Sequence, residues 1–475
     1  MIYFLYAAIV IRILKGINPY LLLTGEETML TGKDLVEEYR RTHPGSQRLH
    51  ERAAKTFAAN GATHIARVLD PFRPYITHAQ GSRKWDIDGN EYIDYIMGHG
   101  ALILGHSHPA VVQAVQEQMA KGVHYGGNHE LEVELAELIK SMMPMAERVA
   151  FFSCGQEANM MAIRLGRIFT GRKKVLRFQE NFHGWADELA HEGSAGVVAD
   201  EVNVIPFNDL NKVEEELAKK EYAVLLTEGG GAYVNGRVPI DLDFARALSD
   251  LTKKYGTVWV LDEVVTGFRD APGGWQSVVD VKPDLTTLGK CVGGGLPVGA
   301  VVGRADIMEV FNPESPPERH IPHTGTWNAS PLLCSAGIAA CKLYQGGEPQ
   351  KKTRQLADYL RERGNKLLKE RDISGRLYSR TVVHLYLGPI DYEPSDDTMP
   401  PTKDIKKIMD PTMEPVHTRL CLHLLQRGIA IFTKGFYILS AAHTMEDVDQ
   451  TIDAFSDSLD AMLNEGTLGQ ALRVR

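Results

Sequence analysis

Three polar segments of the sequence each follow a short run of apolar residues, and together they could form one reactive site. Asp262 and Glu263 follow the apolar run Val258–Leu261, and Lys290 follows Asp284–Leu288. A carboxylate at the end of a buried strand is costly to desolvate unless a cationic group faces it. A lysine amine that is desolvated, or that lies near other cations, forms Schiff bases with carbonyl compounds. These residues therefore predict a carbonyl-binding lysine with a carboxylate nearby.

The third segment is Cys154-Gly155-Gln156, which follows the apolar run Val149–Ser153 and precedes a predicted helix. A glycine in such a turn leaves backbone N–H groups at the positive helix end, which suits an anion such as a phosphate ester. Taken singly, the three segments are also compatible with a helix cap, an ion pair and a solvated lysine. Taken together, a phosphate, an aldehyde for the lysine and a basic ring nitrogen for the carboxylate indicate pyridoxal 5′-phosphate.

Apolar runs alternate with helical segments through the middle of the chain, which predicts a mostly parallel sheet buried on both faces. In such a sheet, ligands bind beyond the carboxyl ends of the strands, where the three polar segments fall. The predicted strands are Val149–Ser153, Val175–Phe178, Tyr222–Thr227, Val258–Leu261, Asp284–Leu288 and Val298–Val302. The predicted helices between them are Glu157–Phe169, Leu210–Lys219 and Leu242–Tyr255.

The flanks of this region have a different pattern. Gly45–Asn60 is predicted to be an amphipathic helix, and Lys84–Tyr95 a β-hairpin that turns at Asp88-Gly89-Asn90. The segment beyond Tyr344 is predicted to be a smaller α+β unit. Its expected elements are a helix over Lys351–Glu370, strands over Val382–Leu387 and Ile429–Phe432, a helix over Met445–Leu463, and a long excursion or lid over Pro389–Pro415.

Composition limits the class of protein. The chain has 475 residues, of which 44% are hydrophobic and 24% charged, with a formal net charge of −9. Such a chain can bury a large core, and it carries no basic excess for coating nucleic acid or an anionic membrane. Its 5 cysteines form no CxxC pair, so we expect neither a disulfide scaffold nor a metal site. These features favour a soluble, cytoplasmic protein of mixed α/β class.

Residues 1–23 are strongly apolar, but Arg12 and Lys15 interrupt the run. No stretch therefore reaches the roughly 18 uncharged residues that a membrane span needs. No basic segment precedes the run and no small-residue cleavage site follows it. Three interpretations stay open: a non-native extension with translation starting near Met29, a membrane anchor, and a partner-binding arm.

Longer motifs carry a resemblance to a known family. In order along the chain they are WDIDGNEYIDY, ALILGHSHP, NHELEVELAELI, SCGQEANMMAIRLGRIFTGRKKVLRF, NFHGW, LDEVVTGFR, PDLTTLGKCVGGGLPVGA and HTGTWNASPL. They resemble the class III (subgroup II) pyridoxal-phosphate aminotransferases, in the branch of glutamate-1-semialdehyde aminomutase and D-phenylglycine aminotransferase. The resemblance implies fold type I: a large doubly wound domain, a small domain from both chain ends, and a homodimer. The expected boundaries are an extension over 1–28, small-domain segments over 29–100 and 345–475, and a large cofactor-binding domain over 101–344.

The resemblance also implies roles for single residues. Lys290 would form the Schiff base with the cofactor and move the α-proton of the substrate. Asp262 would keep the ring nitrogen protonated, which the ring needs in order to accept electrons. Phe182 would stack on one face of the ring and Val264 would pack against the other. The remaining cofactor-binding residues implied in this way are Cys154, Gly155, Gln156, His183, Glu228 and Thr326.

Residues outside the cofactor set are implied to contact the substrate or the neighbouring subunit. Thr326 would reach the phosphate held by the other subunit, so that each site needs the dimer. Arg67 would bind a substrate carboxylate through a bidentate contact. His99 and Trp327 would line the substrate side of the site.

The substrate side departs from the aminomutase pattern. Aminomutases of this branch have tryptophan at the position of His99, and they have Leu-Ser-Gly-Asn-Pro where this chain has Trp327-Asn328-Ala329-Ser330-Pro331. The GHGALxLGH form is instead similar to the D-phenylglycine aminotransferase type. We therefore expect an aminotransferase that moves an amino group between separate donor and acceptor molecules. A glutamate-1-semialdehyde aminomutase and an amino-acid racemase are alternatives.

A nucleotide-dependent dehydrogenase is an alternative of another class. Against it, no GxGxxG motif follows any of the predicted strands.

Overall fold

The computed structural model describes residues 32–59, 61–143, 145–191, 193–232, 238–469 and 472, so the apolar segment 1–28 lies outside it. The fold is mixed α/β, with a large sheet in the middle of the chain and smaller sheets formed by the flanks. In these ranges, no helix is both long enough and apolar enough to cross a bilayer.

The strands are β1 (Ile76–Gln80), β2 (Arg83–Asp86), β3 (Glu91–Asp94), β4 (Arg148–Phe152), β5 (Lys174–Phe178), β6 (Val202–Ile205), β7 (Tyr222–Glu228), β8 (Gly231–Ala232), β9 (Val238–Pro239), β10 (Val258–Glu263), β11 (Leu285–Leu288), β12 (Gly299–Gly303), β13 (Gly375–Tyr378), β14 (Val382–Leu387), β15 (Ile429–Ala430) and β16 (Phe436–Ile438). The helices are α1 (Gly32–Thr42), α2 (Pro44–Ala53), α3 (Pro109–Lys121), α4 (Glu130–Met142), α5 (Gly155–Thr170), α6 (Leu210–Leu217), α7 (Leu242–Tyr255), α8 (Gly274–Val279), α9 (Ala305–Met308), α10 (Pro331–Tyr344), α11 (Glu348–Glu370), α12 (Ile405–Ile408), α13 (Glu414–Gln426) and α14 (Met445–Asn464).

The large sheet has seven strands in the order β4-β12-β11-β10-β7-β5-β6. The neighbours from β11 to β6 all pair in parallel, whereas β12 pairs antiparallel with β4 and with β11. The predicted mostly parallel sheet is therefore confirmed. Strand β6 at its edge was not predicted, because its four residues form only a short apolar run.

Both faces of this sheet are covered by helices. Successive residues of a strand point to opposite faces, so neighbouring apolar residues enter different cores. On β10, Val260 packs into one apolar cluster with residues of α5, and Leu261 packs into another with residues of α6 and α7. This double burial explains why the strands consist of nearly continuous apolar runs.

The smaller unit is built from both ends of the described chain. Strand β15 pairs in parallel with β3, which extends the N-terminal sheet β1-β2-β3 with a C-terminal strand. One core contains Leu35 and Tyr92 from the N-terminal side together with Leu420 and Phe455 from the C-terminal side. The fold-type-I architecture expected from the resemblance is thus present. The residue boundaries of the domains remain a prediction.

One predicted element is wrong in its extent. Helix α2 ends at Ala53 and does not reach Asn60. The chain turns back because Gly61, at φ +82°, lies directly against the ring of His50, and its carbonyl oxygen accepts a hydrogen bond of 2.9 Å from the Tyr75 hydroxyl. These contacts depend on how the chain beyond the helix folds back, which the helical periodicity of the segment did not indicate.

Six of the helices named above were not predicted: the short helices α8, α9 and α12, and the longer helices α1, α10 and α13. Helix α10 is buried along most of its length, and such a helix has no polar face to give it the periodicity of an amphipathic one. The predicted excursion Pro389–Pro415 is present and contains only α12, one 3₁₀ turn at Pro411–Met413 and the start of α13. Whether the excursion acts as a lid stays a prediction.

Candidate active site

The polar residues at the site come from the carboxyl ends of three adjacent parallel strands. Asp262, near the end of β10, is level with Glu228 at the end of β7 and with Thr287 on β11. Lys290 follows two residues after the end of β11. The edge of the sheet therefore brings an amine and two carboxylates together, as the rule for ligand sites in parallel sheets predicts.

Lys290 has a strained backbone conformation, and its amine is largely desolvated. Its backbone has φ +47°, a left-handed conformation that a residue with a side chain rarely adopts. Burial lowers the pKa of its amine below the usual range, although the charges of Asp262 and Glu228 act in the opposite direction. In the described part of the chain, Nζ makes no hydrogen bond and no ion pair. The amine is thus available as a nucleophile and proton acceptor.

Asp262 is buried, with 3% of its surface exposed, and its carboxylate is held from three directions. Oδ1 accepts a hydrogen bond of 2.9 Å from the backbone N–H of Val264. Oδ2 accepts one of 2.7 Å from Nδ2 of Asn159, and lies 2.7 Å from Nδ1 of His183. An ionised carboxylate only accepts hydrogen bonds, so Nδ1 of His183 carries the proton in this contact. The arrangement fixes the direction in which the carboxylate can meet a further donor.

A cradle for an anion lies at the N-terminus of α5. The N-cap residue Cys154 makes no side-chain cap, so the first N–H groups of the helix are left for another acceptor. A Cβ at Gly155 would overlap the side chain of Val264, so this close packing requires glycine. Oε1 of Gln156 accepts a hydrogen bond of 2.7 Å from the backbone N–H of Trp185, which leaves the NH₂ group of the amide to donate to an anion.

Phe182 is tied to Glu228 at the edge of the site. Its backbone N–H donates a hydrogen bond of 3.0 Å to Oε2 of Glu228, and the Glu228 N–H donates one of 2.8 Å to Asn181. The Phe182 ring is partly exposed and contacts Trp185 edge-on, with 5.7 Å between ring centroids. It also lies 6.0 Å, centroid to centroid, from the ring of His191. A partly exposed aromatic ring at a strand end offers a stacking surface.

A second group of residues, from loops, lies on the other side of Lys290. His99 belongs to a left-handed turn over Met97–Gly100, in which every residue has a positive φ. Its ring meets His64 and Phe432 edge-on, each with 5.2 Å between centroids. Burial and the charges of His64, Arg67, Lys290 and Arg73 lower the pKa of His99 to about 4, so the imidazole is neutral at physiological pH.

Arg67, from the 3₁₀ turn Ile65–Arg67, is exposed, and its one hydrogen bond to a described residue goes to the hydroxyl of Thr63, over 3.1 Å. The structure therefore brings Arg67 and His99 into one cationic and aromatic group. This group will be called the entrance group: His64, Arg67, His99 and Phe432.

Thr326 and Trp327 lie in the segment that precedes α10. Both are exposed, and the ring of Trp327 meets His124 edge-on at 5.4 Å. In the described ranges, the hydrogen bonds and ring contacts of this segment do not involve Lys290 or Asp262. The role of Thr326 at a neighbouring subunit's site remains a prediction.

Sequence reasoning missed Asn159, His64 and Phe432. Asn159 follows Gly155 by one helical turn and so points toward the same side of α5, a spacing that could have indicated it. His64 and Phe432 are brought to His99 by loops from opposite ends of the chain, and no local pattern marks them.

The comparison with protein families decides what kind of site this is. A family model described as aminotransferase class-III matches residues 65–459, which is most of the chain. The chain belongs to the class-III aminotransferase family. Enzymes of this family use pyridoxal 5′-phosphate, which is accordingly the cofactor of this enzyme.

Relatives of this class-III enzyme include proteins with different reactions. A glutamate-1-semialdehyde 2,1-aminomutase of Thermodesulfovibrio yellowstonii is 34% identical over 432 residues, covering 86% of this chain and 97% of the relative. The structure of an omega-transaminase from Sphaerobacter thermophilus matches with a TM-score of 0.81 and 31% identity, over 89% of this chain and 99% of that one. A beta-phenylalanine aminotransferase from Variovorax paradoxus matches with a TM-score of 0.82 and 30% identity, over 93% and 99%.

The site's residues fit the cofactor of the class-III enzymes. The Lys290 amine, which makes no hydrogen bond to any residue that the structure describes, suits the aldehyde, and the oriented carboxylate of Asp262 suits a protonated ring nitrogen. The uncapped N-terminus of α5, with the NH₂ group of Gln156, suits the phosphate. Each part of the cofactor thus has a matching group at this edge of the sheet.

Proposed function

We propose that the protein is an aminotransferase that exchanges an amino group between a donor amine or amino acid and a keto or aldehyde acceptor, with its site at the ends of β7, β10 and β11. In the balanced reaction, the donor's C–NH₂ becomes C=O and the acceptor's C=O becomes C–NH₂. The observation that carries the proposal is the amine of Lys290, which has no hydrogen-bond partner among the described residues and lies near the buried carboxylates of Asp262 and Glu228.

Two residues would perform the central steps. Bound pyridoxal phosphate supplies an aldehyde for amine exchange and a protonated ring that withdraws electrons from the substrate's α-carbon. Lys290 would hold the aldehyde carbon through a Schiff base in the resting enzyme. Once the substrate's amine has displaced Lys290 from that carbon, the freed Nζ would take the proton from the substrate's α-carbon and deliver it to the next position. Asp262 would keep the proton on the ring nitrogen.

The remaining cofactor residues would position the ring and the phosphate. Phe182 would stack on one face and Val264 would pack on the other, with His183 and Glu228 at the edges. Cys154, Gly155 and Gln156 would bind the phosphate through backbone and amide N–H groups. These roles are supported by the uncapped helix, the free amide and the partly exposed ring.

A homodimer would complete the site. Thr326 is exposed, and in the described ranges it makes no hydrogen bond to its own chain's Lys290 or Asp262, which suits a residue that serves the neighbouring site. We place the enzyme in the cytoplasm because all five of its cysteines are free thiols.

The entrance group would select the substrate. Arg67, exposed and without an acidic partner in the described ranges, would bind a carboxylate, and His99 with Trp327 would line the side-chain pocket. The rings of His64, His99 and Phe432 form an aromatic wall that suits an aryl or other flat apolar side chain. The beta-phenylalanine aminotransferase among the similar structures supports such a substrate.

A glutamate-1-semialdehyde aminomutase is the second candidate function, since relatives with that name are about a third identical over nearly their whole length. Against it stands His99 at a position where aminomutases of the branch have tryptophan.

A donor–acceptor panel on purified enzyme tests both candidates. It should include glutamate-1-semialdehyde and the D- and L-forms of aryl amino acids. Equal amounts of new amine and new carbonyl compound from separate molecules support the aminotransferase. Conversion of glutamate-1-semialdehyde alone, without exchange with other amines, supports the aminomutase.

Attachment of the cofactor is tested separately. Borohydride reduction of the holoenzyme, followed by digestion and mass spectrometry, should find the cofactor mass on the peptide that contains Lys290. Its presence on another lysine would overturn the proposed site.

A further inference from the structure

A chain of three buried polar side chains leads away from the proposed ring-nitrogen site. The hydroxyl of Thr287 on β11 donates a hydrogen bond of 2.6 Å to Oδ1 of Asn159 on α5. Nδ2 of Asn159 donates one of 2.7 Å to Oδ2 of Asp262 and one of 2.9 Å to the backbone carbonyl of His183. Thr287, Asn159 and Asp262 have 0%, 1% and 3% of their surfaces exposed, so water does not compete for these bonds.

The direction of each hydrogen bond follows from the chemistry of the groups. The Thr287 hydroxyl is the donor to an amide oxygen, which fixes the Asn159 amide with its NH₂ toward Asp262. Both N–H bonds of that NH₂ are then used, one on the carboxylate and one on the carbonyl of His183. A single side chain thus holds both the carboxylate and the segment that carries His183 and Phe182. Because the amide is neutral, it orients Asp262 without cancelling its negative charge.

We propose that Asn159 and Thr287 are positioning residues that hold the Asp262 carboxylate in the orientation needed to keep the cofactor's ring nitrogen protonated. The inference rests on the proposed role of Asp262. A carboxylate that accepts fewer fixed hydrogen bonds can rotate, and its contact with the ring nitrogen weakens accordingly. Neither residue touches the reacting atoms, so their effect passes through Asp262.

The strand β11 offers a matched control. Thr286 and Thr287 are adjacent, both fully buried, and their side chains point to opposite faces of the sheet. The Thr286 hydroxyl accepts a hydrogen bond of 3.2 Å from Nε2 of Gln276, on the side away from Asn159. Thr286→Val and Thr287→Val therefore remove the same group from the same strand, but only Thr287→Val disturbs Asn159.

The test measures the dissociation constant of pyridoxal phosphate from the apoprotein and the pH titration of the bound cofactor's visible absorption band. A hydrogen bond to a charged group stabilises more than one between neutral groups. We therefore expect Asn159→Leu, which removes such a bond to Asp262, to weaken cofactor binding by about 10- to 100-fold. Thr287→Val should weaken binding by about 5-fold, since it removes only the bond that orients the amide. Asn159→Leu and Thr287→Val should also shift the pH at which the visible band of the bound cofactor titrates. Thr286→Val should leave cofactor binding and this titration as in the wild type. Thermal unfolding of each apoprotein checks that it folds.

Two results would overturn the inference. One is cofactor binding and band titration in Thr287→Val that match the wild type. The other is an equal change in Thr286→Val, which would mean that any cavity in β11 disturbs the site. If Asn159→Leu fails to fold, the comparison of Thr287→Val with Thr286→Val tests the inference by itself.

Asp262→Asn, measured alongside, separates this inference from the proposed function. If it leaves cofactor binding and titration unchanged, the assigned role of Asp262 fails and the inference fails with it. If it alters both while Asn159→Leu and Thr287→Val do not, only the inference is wrong.

Discussion

The cofactor side and the substrate side of this site are built in different ways. Asp262 and Glu228 stand on parallel strands inside the sheet, and both are almost fully buried. His99 and Arg67 come from a left-handed turn and a 3₁₀ turn near the surface, and Arg67 is exposed. Groups on a rigid sheet can be held closely enough for shared chemistry, whereas loops can change without disturbing the sheet. This difference explains how one family contains transaminases and an aminomutase.

The two sides also differ in charge. The cofactor side presents two carboxylates to Lys290, while the entrance group adds the cationic Arg67 beside His99 and His64, whose pKa values are both lowered by burial and by neighbouring positive charge. An anionic part of a substrate is therefore favoured at the entrance, away from Asp262 and Glu228. Substitutions on the cofactor side should abolish the reaction for every substrate. Substitutions at the entrance should alter which substrates are used.

The largest effect is expected for Lys290→Ala. Without the amine, neither aldehyde attachment nor proton transfer at the α-carbon can occur, so turnover should fall by about 10⁴-fold or more. The yellow, amine-sensitive absorption of the holoenzyme should also be absent. Steady-state assays and absorption spectra measure both, and circular dichroism confirms the fold. Retained turnover with several substrates would remove Lys290 from the proposed mechanism.

Asp262→Ala should have the next largest effect. Loss of the charge at the ring nitrogen should lower kcat by about 10²- to 10³-fold for all substrates alike. The neighbouring Glu263 supplies a control, because its carboxylate accepts from Trp275 and Gln276 and not from the site. Glu263→Gln should change kcat far less. Similar kcat values in the two variants would contradict the role given to Asp262.

Arg67→Ala should act on binding more than on chemistry. We expect KM for carboxylated substrates to rise by about 10- to 100-fold, with kcat little changed, because a charge-assisted contact is lost. Amines without a carboxylate should show no such change. Arg48→Ala, an exposed arginine on α2, is the control. An unchanged KM for every acid would exclude Arg67 from the site.

The smallest effect is expected for the titration of His99. Its folded-state pKa of about 4 lies below the ordinary value of 6.5, so its contribution to stability is present above pH 6.5 and is lost as pH falls toward 4. With a discount for solvent screening, this contribution is about 1 kcal/mol. Denaturant unfolding of the wild type and of His99→Gln across pH 4 to 7 measures it. If the free energy of unfolding varies with pH in the same way in both proteins, the lowered pKa of His99 is contradicted.

The cofactor side could be predicted from the sequence because its signals are local. Continuous apolar runs indicated the strands. Because ligands bind beyond the carboxyl ends of parallel strands, Asp262, Lys290 and Gly155 were then expected at one edge of the sheet. The motif around Gly155 also contains Asn159, but its bond to Asp262 depends on how α5 packs against β10. Nothing in the sequence distinguishes Thr287 from the other residues of its strand. Its link to Asn159 appears only when the two elements are packed together.

The sequence by itself determined the family, the alternation of strands and helices in the middle of the chain, and the residue types at the strand ends. These follow from local composition and from motifs a few residues long. Only the tertiary structure decided which side chains meet: His64 and Phe432 around His99, Thr287 with Asn159, and β15 beside β3. Such contacts join residues tens to hundreds of positions apart, and the packing of the whole chain selects them. No periodicity within a single segment carries that information.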